Sequence, residues 1–334
     1  MRAPDWWWRD RPTNLARFLE PLGSIIGVIT ARRLAERGGR ADIPVICVGN
    51  PVAGGAGKTP TAIAVAGILK RNGRRPVFLS RGYGGRLAGP VQVDPARHGS
   101  VDVGDEPLLL ARYAPAIVSG DRLEGAALAA SLGDVIVMDD GFQNPSLSKD
   151  LSLLVVDGGS GVGNGLCVPA GPLRAPLDEQ LARAQGLVLI GKGAAGERVA
   201  SAAAGRGLAI HRGSLEPDRR AAAGLRGLDV LAFAGIGRPD KFADTLRSVG
   251  ADVVQLTAFG DHHRFTAHEA RALLMAAERA QLTLVTTEKD MVRLSGAADA
   301  SVRELARRSR VLPVALVFED GDALAVQISD VLRP

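Results

Sequence analysis

The chain has 334 residues, 46% of them hydrophobic and only 4% aromatic, with 41 glycines. That length exceeds what one hydrophobic core usually serves, so two α/β units or one enlarged unit are expected, and bulk disorder is excluded. The net charge of +5 favours anionic partners, but no base-reading motif is present, so nucleic acid is not an expected partner.

Cys47 and Cys167 lie far apart, form no CxxC pair and give no disulfide framework, which suits a reducing compartment. The chain opens on Trp6, Trp7 and Trp8 among Arg2, Arg9 and Arg11. Leu15, Phe18, Leu19, Leu22, Ile25, Ile26 and Ile29 then follow at helical spacing. Arg17, Glu20 and Pro21 interrupt this stretch, leaving it too broken to cross about 30 Å of hydrocarbon. It also lacks the order and cleavage site of a signal peptide. Two readings stay open at this point. The stripe packs on the protein's own core, or it lies in a membrane interface with the tryptophans at headgroup level and the arginines on anionic phosphates.

Residues 48–60 read VGNPVAGGAGKTP. A short apolar strand enters a glycine-rich turn, Val52, Ala53, Gly54, Gly55, Ala56 and Gly57, and a Lys-Thr pair opens a helix. Glycines let backbone N–H groups approach an anion that also sees the positive end of the helix. Lys58 is placed to reach the β- and γ-phosphates of a nucleotide, and Thr59 to put its hydroxyl on magnesium. Val52 stands where the strict phosphate-loop pattern has its first glycine. An ordinary glycine-rich turn explains the glycines but not the Lys-Thr pair.

Apolar, β-branched runs recur at Pro44 to Val48, Pro76 to Leu79, Ala116 to Val118, Val135 to Met138, Leu151 to Val156 and Leu187 to Ile190. Between them Thr61 to Arg71, Arg122 to Ser131 and Asp178 to Ala184 supply crossover helices. This predicts a doubly wound, mainly parallel sheet with ligands beyond the carboxyl ends of its strands. GDEP, from Gly104 to Pro107, is good helix-capping chemistry and needs no further role on that reading. Asp139 and Asp140 end the run VIVMDDGFQ. A carboxylate at a strand end beside a phosphate loop holds magnesium, although an Asp-Asp-Gly turn alone would look the same.

From Gly205 to Arg226 the pattern blurs, which reads as a connection. A second α/β unit is expected after it, with strands Val230 to Ala234, Asp252 to Leu256, Thr283 to Thr286 and Val311 to Phe318. In that unit FGDHHRF, 259 to 265, sets two histidines beside Asp261. A histidine charged or oriented by a carboxylate can move protons near neutral pH, and a solvated turn before the next helix is the alternative. Thr287-Glu288-Lys289-Asp290 has the wrong order for a guanine-reading element, so ATP is favoured.

Taken in order, VGN…GGAGKTP, SRGYGG, GDEP, DDGFQ, PAGPLR, FAGIGRP, DHHRF and TTEKD resemble the tetraacyldisaccharide 4′-kinase family of lipid A biosynthesis, over almost the whole chain. The resemblance implies a P-loop NTPase-like kinase core (36–212) behind an amino-terminal membrane-interface region (1–35). A two-stranded linker (213–226) would join the core to a smaller α/β domain (227–334) that closes on ATP. It implies transfer of the ATP γ-phosphate to the 4′-hydroxyl of an acylated disaccharide 1-phosphate at the cytoplasmic face of the bacterial inner membrane.

On matching positions the resemblance implies that Lys58 and Thr59 bind triphosphate and magnesium. Asp139 and Asp140 would lie at the metal with Gln143 close by, Asp105 would be the catalytic base paired with His262, and Arg174 would contact phosphate. A lipid acceptor also favours the interfacial reading of Trp6 to Trp8 and the stripe behind them. The enzyme would be peripheral, with no obligate protein partner. The rival from another class is a GGxGKT-type regulatory ATPase at the membrane surface, which leaves GDEP, PAGPLR and DHHRF unexplained.

Overall fold

The computed structural model describes residues 3–333; Arg2 lies outside them. Short apolar runs bounded by turn residues become strands in chain order: β1 Val45–Gly49, β2 Pro76–Ser80, β3 Val91–Gln92, β4 Ala116–Val118, β5 Val135–Asp139, β6 Leu151–Asp157, β7 Gly186–Ile190 and β8 Ala209–Pro217. Then come β9 Asp229–Ala234, β10 Asp252–Ala258, β11 Thr283–Thr286, β12 Arg310–Val311 and β13 Val314–Phe318. A nine-stranded sheet has the order 13-8-7-6-1-5-2-4-3, and a four-stranded sheet the order 10-9-11-12. The large sheet is parallel except at its two edges, where β3 and β13 run antiparallel to their neighbours.

The chain passes from β1 outward to β2 and β4, returns to insert β5 beside β1, and continues on the other side as β6. The winding therefore reverses at β1, and a crevice opens at the carboxyl ends of β1 and β5. Alternating side chains of β1 feed two cores. Ile46 and Val48 join Val65 and Leu69 of the helix α2, while Val45 and Cys47 meet Met138 and Leu154 on the other face. α2 spans Lys58–Arg71, three residues longer than the spacing predicts, because Gly57 turns the chain at φ +89° and Pro60 sits in the first turn, where no N–H is missed.

Two expectations change. The blurred stretch Gly205 to Arg226 contains β8, which pairs in parallel with β7. Only some of its side chains are buried, so it shows none of the continuous apolar run of a central strand. The strand expected over Val311 to Phe318 is divided. Arg310–Val311 stays on the small sheet, and after Pro313, which has no ladder N–H, Val314–Phe318 returns antiparallel to β8. The closing helix Gly321–Val331 follows it and buries Leu324 and Ile328 in the core of the large sheet. Residues 314–331 thus sit on the large sheet and not with the rest of 227–334, and β8 with β13 forms the two-stranded passage between the units.

At the amino terminus the helix α1, Asn14–Leu34, is capped by the Thr13 hydroxyl and runs through Pro21. Its small residues Ala16, Gly23 and Gly27 face the body. A Cβ at Gly23 would lie 2.6 Å from the Cys167 carbonyl oxygen, and one at Gly27 would lie 3.0 Å from Cys167 Sγ. The large residues divide differently from the expected stripe. Leu19 and Ile26 are half-buried, whereas Leu15, Leu22, Ile25, Val28 and Ile29 are exposed and Phe18 is 81% exposed. Among the described residues no helix is long and apolar enough to cross a membrane.

Candidate active site

The phosphate-loop residues are stitched to the segment PAGPLR. Ala53 N–H donates to the Pro172 carbonyl at 2.7 Å and Arg174 N–H to that of Pro51 at 2.9 Å, while Arg174 Nε donates to the Val52 carbonyl at 3.0 Å. Beneath the turn, buried Asn50 donates from Nδ2 to the Gly54 carbonyl at 2.9 Å. Any other residue at Gly57 would be strained: its φ is positive, and a Cβ would stand 2.5 Å from Ile190 Cδ1, which would have to shift. Ala56 is buried, and nothing lies within 4 Å of where a Cβ on Gly55 would be, so the turn opens upward at Gly55.

Lys58 and Thr59 open α2 and are both buried. Thr59 Oγ1 donates to Asp139 Oδ2 at 3.2 Å. Asp139 ends β5 with Oδ1 buried and without a partner. Burial, with the charge of Glu106 next, pushes its carboxyl up to about 7. A buried carboxylate that resists ionisation and keeps a vacant oxygen, beside a hydroxyl, is a donor set suited to a hard divalent cation. No group of three or more His, Cys, Asp or Glu among the described residues could hold a metal alone. Magnesium fits such a place, since it is commonly held by one or two carboxylates with substrate phosphate and water completing the shell.

Asp140, at φ +54°, turns its carboxylate the other way. Arg174 grips it with two hydrogen bonds of 2.9 and 3.1 Å, and Lys58 Nζ lies 3.7 Å away. Burial alone would raise this carboxyl, but Lys58 and then Arg174 hold it below the usual range. Gln143 accepts from Arg174 at 3.2 Å and donates to the Asn50 carbonyl at 2.9 Å. Asp140 therefore orients the two cations of the cradle more directly than it faces the metal position.

A second cluster forms where the units meet. The helix Asp105–Leu110 starts from Gly104 at φ +87°, where a Cβ would collide with the Tyr83 carbonyl at 2.6 Å. Asp105 is 4% exposed. His262, at φ +56°, donates from Nδ1 to both Asp105 oxygens at 3.0 and 3.1 Å, and Arg293 Nε donates to Oδ2 at 2.7 Å. Burial pulls the Asp105 carboxyl upward, but the His262 hydrogen bond and then the charges of Arg293 and Lys289 hold it far below the carboxylate range. The same hydrogen bond raises His262 above 6.5 against its own burial. His263 points elsewhere, stacked on Phe259 and bonded to Glu269 at 3.0 Å.

Sequence reasoning passed over Glu106, Lys289 and Arg293 as site residues. Lys289 Nζ donates to Glu106 at 2.6 Å, and burial is outweighed on Glu106 by Lys289 and then Lys58, which lower it. The sequence held only the spacing of the two cations, not their partners. Lys289 and Arg293 are one helical turn apart on the helix Glu288–Ser295 and face the consecutive carboxylates of GDEP. Thr287 caps that helix, and Asp290 holds Arg293 Nη1 at 2.7 Å, so TTEKD positions both cations.

A family profile described as tetraacyldisaccharide-1-P 4′-kinase matches residues 15–333. The tetraacyldisaccharide 4′-kinase of Methylobacterium sp. strain 4-46 is 56% identical over 336 residues, covering 100% of this chain and 98% of that one. That of Nitrobacter winogradskyi is 52% identical over 332 residues, covering 99% and 97%. The crystal structure of LpxK from Aquifex aeolicus in complex with ATP superposes with a TM-score of 0.72 at 25% identity, covering 96% of this chain and 100% of that one.

Proposed function

The chain belongs to the tetraacyldisaccharide-1-P 4′-kinase family, and on that premise we propose which of its residues perform the transfer. It is an ATP-dependent kinase that phosphorylates the 4′-hydroxyl of tetraacyldisaccharide 1-phosphate in lipid A biosynthesis. The observation that carries the residue assignment is the contact between units: Asp105 beside the crevice meets His262 from the small unit at 3.0 Å.

The turn from Val52 to Gly57 and the amino end of α2 cradle the triphosphate, with Lys58 on its outer phosphates. Thr59 and Asp139 would hold magnesium, which when bound would offset the negative charge of the phosphates. Asp140 and Gln143 keep Arg174 aimed at the same region, where its guanidinium spreads charge developing on the transferred group. Asp105 and His262 act as one base. The carboxylate, held so far below its usual range, is a weak acceptor by itself, so the hydroxyl proton comes to rest on the imidazole that it orients.

The acceptor is a lipid, and α1 supplies the surface that meets it. Phe18, Leu22, Ile25 and Ile29 form an exposed ridge on a helix whose small residues are spent on docking. Burying half the area of these four side chains contributes roughly 3–6 kcal/mol. Arg9, Arg11 and Arg17 add attraction to anionic headgroups. We place the enzyme as a peripheral protein on the cytoplasmic face of the inner membrane. Trp7 and Trp8 are half-buried against the body, so the ridge and not the tryptophan cluster faces lipid.

The test is incubation with γ-labelled ATP, magnesium and the disaccharide 1-phosphate, followed by chromatography of the lipid phase. Label is expected in the lipid, and Lys58→Ala should weaken ATP affinity and turnover together. Phosphate release at full rate without any acceptor would favour the regulatory ATPase instead. Phe18→Asp with Ile25→Asp should abolish sedimentation with anionic vesicles, and undiminished sedimentation would refute the ridge.

A further inference from the structure

Neither phosphate chemistry nor a lipid surface accounts for where the amino-terminal tryptophans sit. The short helical turn Asp5–Trp8 is fastened to the body rather than free. The Trp7 indole N–H donates to the Pro169 carbonyl at 3.0 Å, and the Trp7 carbonyl accepts the Asn164 N–H at 2.8 Å. Gly163 leaves no gap there, since a Cβ on it would lie 2.2 Å from the Trp7 carbonyl oxygen.

Fixed in this way, Trp8 reaches the phosphate turn. A Cβ on Gly54 would stand 3.5 Å from Trp8 Cζ2 and 3.7 Å from Cη2, which is ordinary packing distance. The guanidinium carbon of Arg238 lies 5.9 Å from the centroid of the Trp8 ring. Arg238 comes from the small unit, and its Nη1 donates to Asp157 at the end of β6 at 3.0 Å. One indole therefore lies within a side chain's reach of the loop that receives phosphate, with an arginine of the unit that closes over it near its ring.

The physical need is clear. Gly54 and Gly55 carry no side chains, Gly54 is at φ +140°, and such a turn samples many shapes unless something restrains it. Asn50 fixes the Gly54 carbonyl from below. A broad, rigid ring supplies the other restraint, and an aromatic face also attracts the arginine cation.

We propose that Trp8 is a positioning residue of the kinase: it restrains the Gly54–Gly55 turn in its phosphate-receiving shape and seats Arg238, so that ATP binding, closure of the units and the amino-terminal segment are coupled. This rests on reading Val52 to Thr59 as the ATP cradle. All 3 tryptophans of the chain are Trp6, Trp7 and Trp8, so intrinsic tryptophan emission reports on this segment alone.

In the full-length enzyme, MgATP should change that emission saturably with a midpoint matching the ATP KM, and Trp8→Phe should remove the change. Trp8→Ala should raise the ATP KM about 2- to 10-fold, with kcat and the acceptor KM nearly unmoved and most of the loss recovered in Trp8→Phe. If Trp8→Ala does not fold, Arg238→Gln leaves the ring in place and should shrink the ATP-induced change. Flat wild-type emission while calorimetry records ATP binding, or an unchanged ATP KM in folded Trp8→Ala, overturns the proposal. Lys58→Ala separates the two readings. Undiminished ATP affinity in that variant removes the cradle itself, whereas lost affinity with flat wild-type emission removes only the role of Trp8.

Discussion

On the assignment proposed above, the pH dependence of turnover is set at His262. The hydrogen bond to Asp105, resisted by burial and aided by the charges of Asp105 and Asp261, raises its pKa above 6.5, while Lys289 opposes the rise. Two consequences have opposite signs. The ion-paired contact between the units is fully present below 6.5 and loses the His262 contribution as pH climbs through the raised value. The Asp105 contribution is present above its ordinary 3.8 and is lost only as pH falls through its depressed value. The proposed proton acceptance by His262 needs the neutral imidazole, so turnover should rise with pH along a limb centred above 6.5, where that contact is weakening. Asp105→Asn removes the main cause of the shift. The expected result is a limb moved to lower pH and kcat reduced about 10² to 10⁴-fold, with ATP affinity nearly intact. A pH–rate profile and an ATP titration check both parts, and a wild-type limb in the variant would refute the coupling.

At the scale of elements, α1 shows how one sequence serves two surfaces. Gly23 and Gly27, a turn apart, let the backbone approach Cys167 and Pro176 closely while most of the large side chains stay exposed on the other side. Gly27→Leu should therefore act through docking, because its side chain has no space under the helix. Lower thermal stability and faster proteolysis of residues before Val45 are expected, with exposed Leu22→Ala as the silent control for both. The apolar periodicity of α1 was legible from sequence, but its division into a docked and a free face was not, since both faces are apolar and only the partner surface decides. The central strands were legible for the opposite reason: buried on both sides, they read as unbroken apolar runs. β8 escaped because most of its side chains are polar or only partly buried, and β13 reads as part of one longer strand, Val311 to Phe318, in which the break at Pro313 does not show. In the candidate site the loop, the Asp139 strand end and GDEP were visible as local chemistry. Glu106–Lys289 and Asp105–Arg293 were not, being pairs formed across 183 and 188 residues of chain.

The whole molecule is two sheets joined by β8 and β13 and held shut by charge. Across the crevice Asp105 meets His262 and Arg293, Glu106 meets Lys289, and Asp157 meets Arg238 and Lys241. These are unequal. Asp157 is drawn down to about 2, its burial outweighed by the Lys241 hydrogen bond and charge and by Arg238. Lys241 is nevertheless mostly exposed, so its pair is worth roughly 0–1 kcal/mol and is screened by salt. Lys289 is different, because Glu106, Asp105 and Asp139 all raise its pKa against burial. Removing its charge leaves Glu106 without its ion-pair partner, with Asp105 and Asp139 nearby. Lys289→Met should therefore open the units, costing about 1–3 kcal/mol of closure. The radius of gyration in solution scattering should rise and the ATP KM with it, whereas Lys241→Met should change neither appreciably. Adding Glu106→Gln to Lys289→Met removes the orphaned charge, so the double variant should close again and recover most of the scattering change. If single and double variants scatter alike, Glu106 and Lys289 are not what holds the crevice shut.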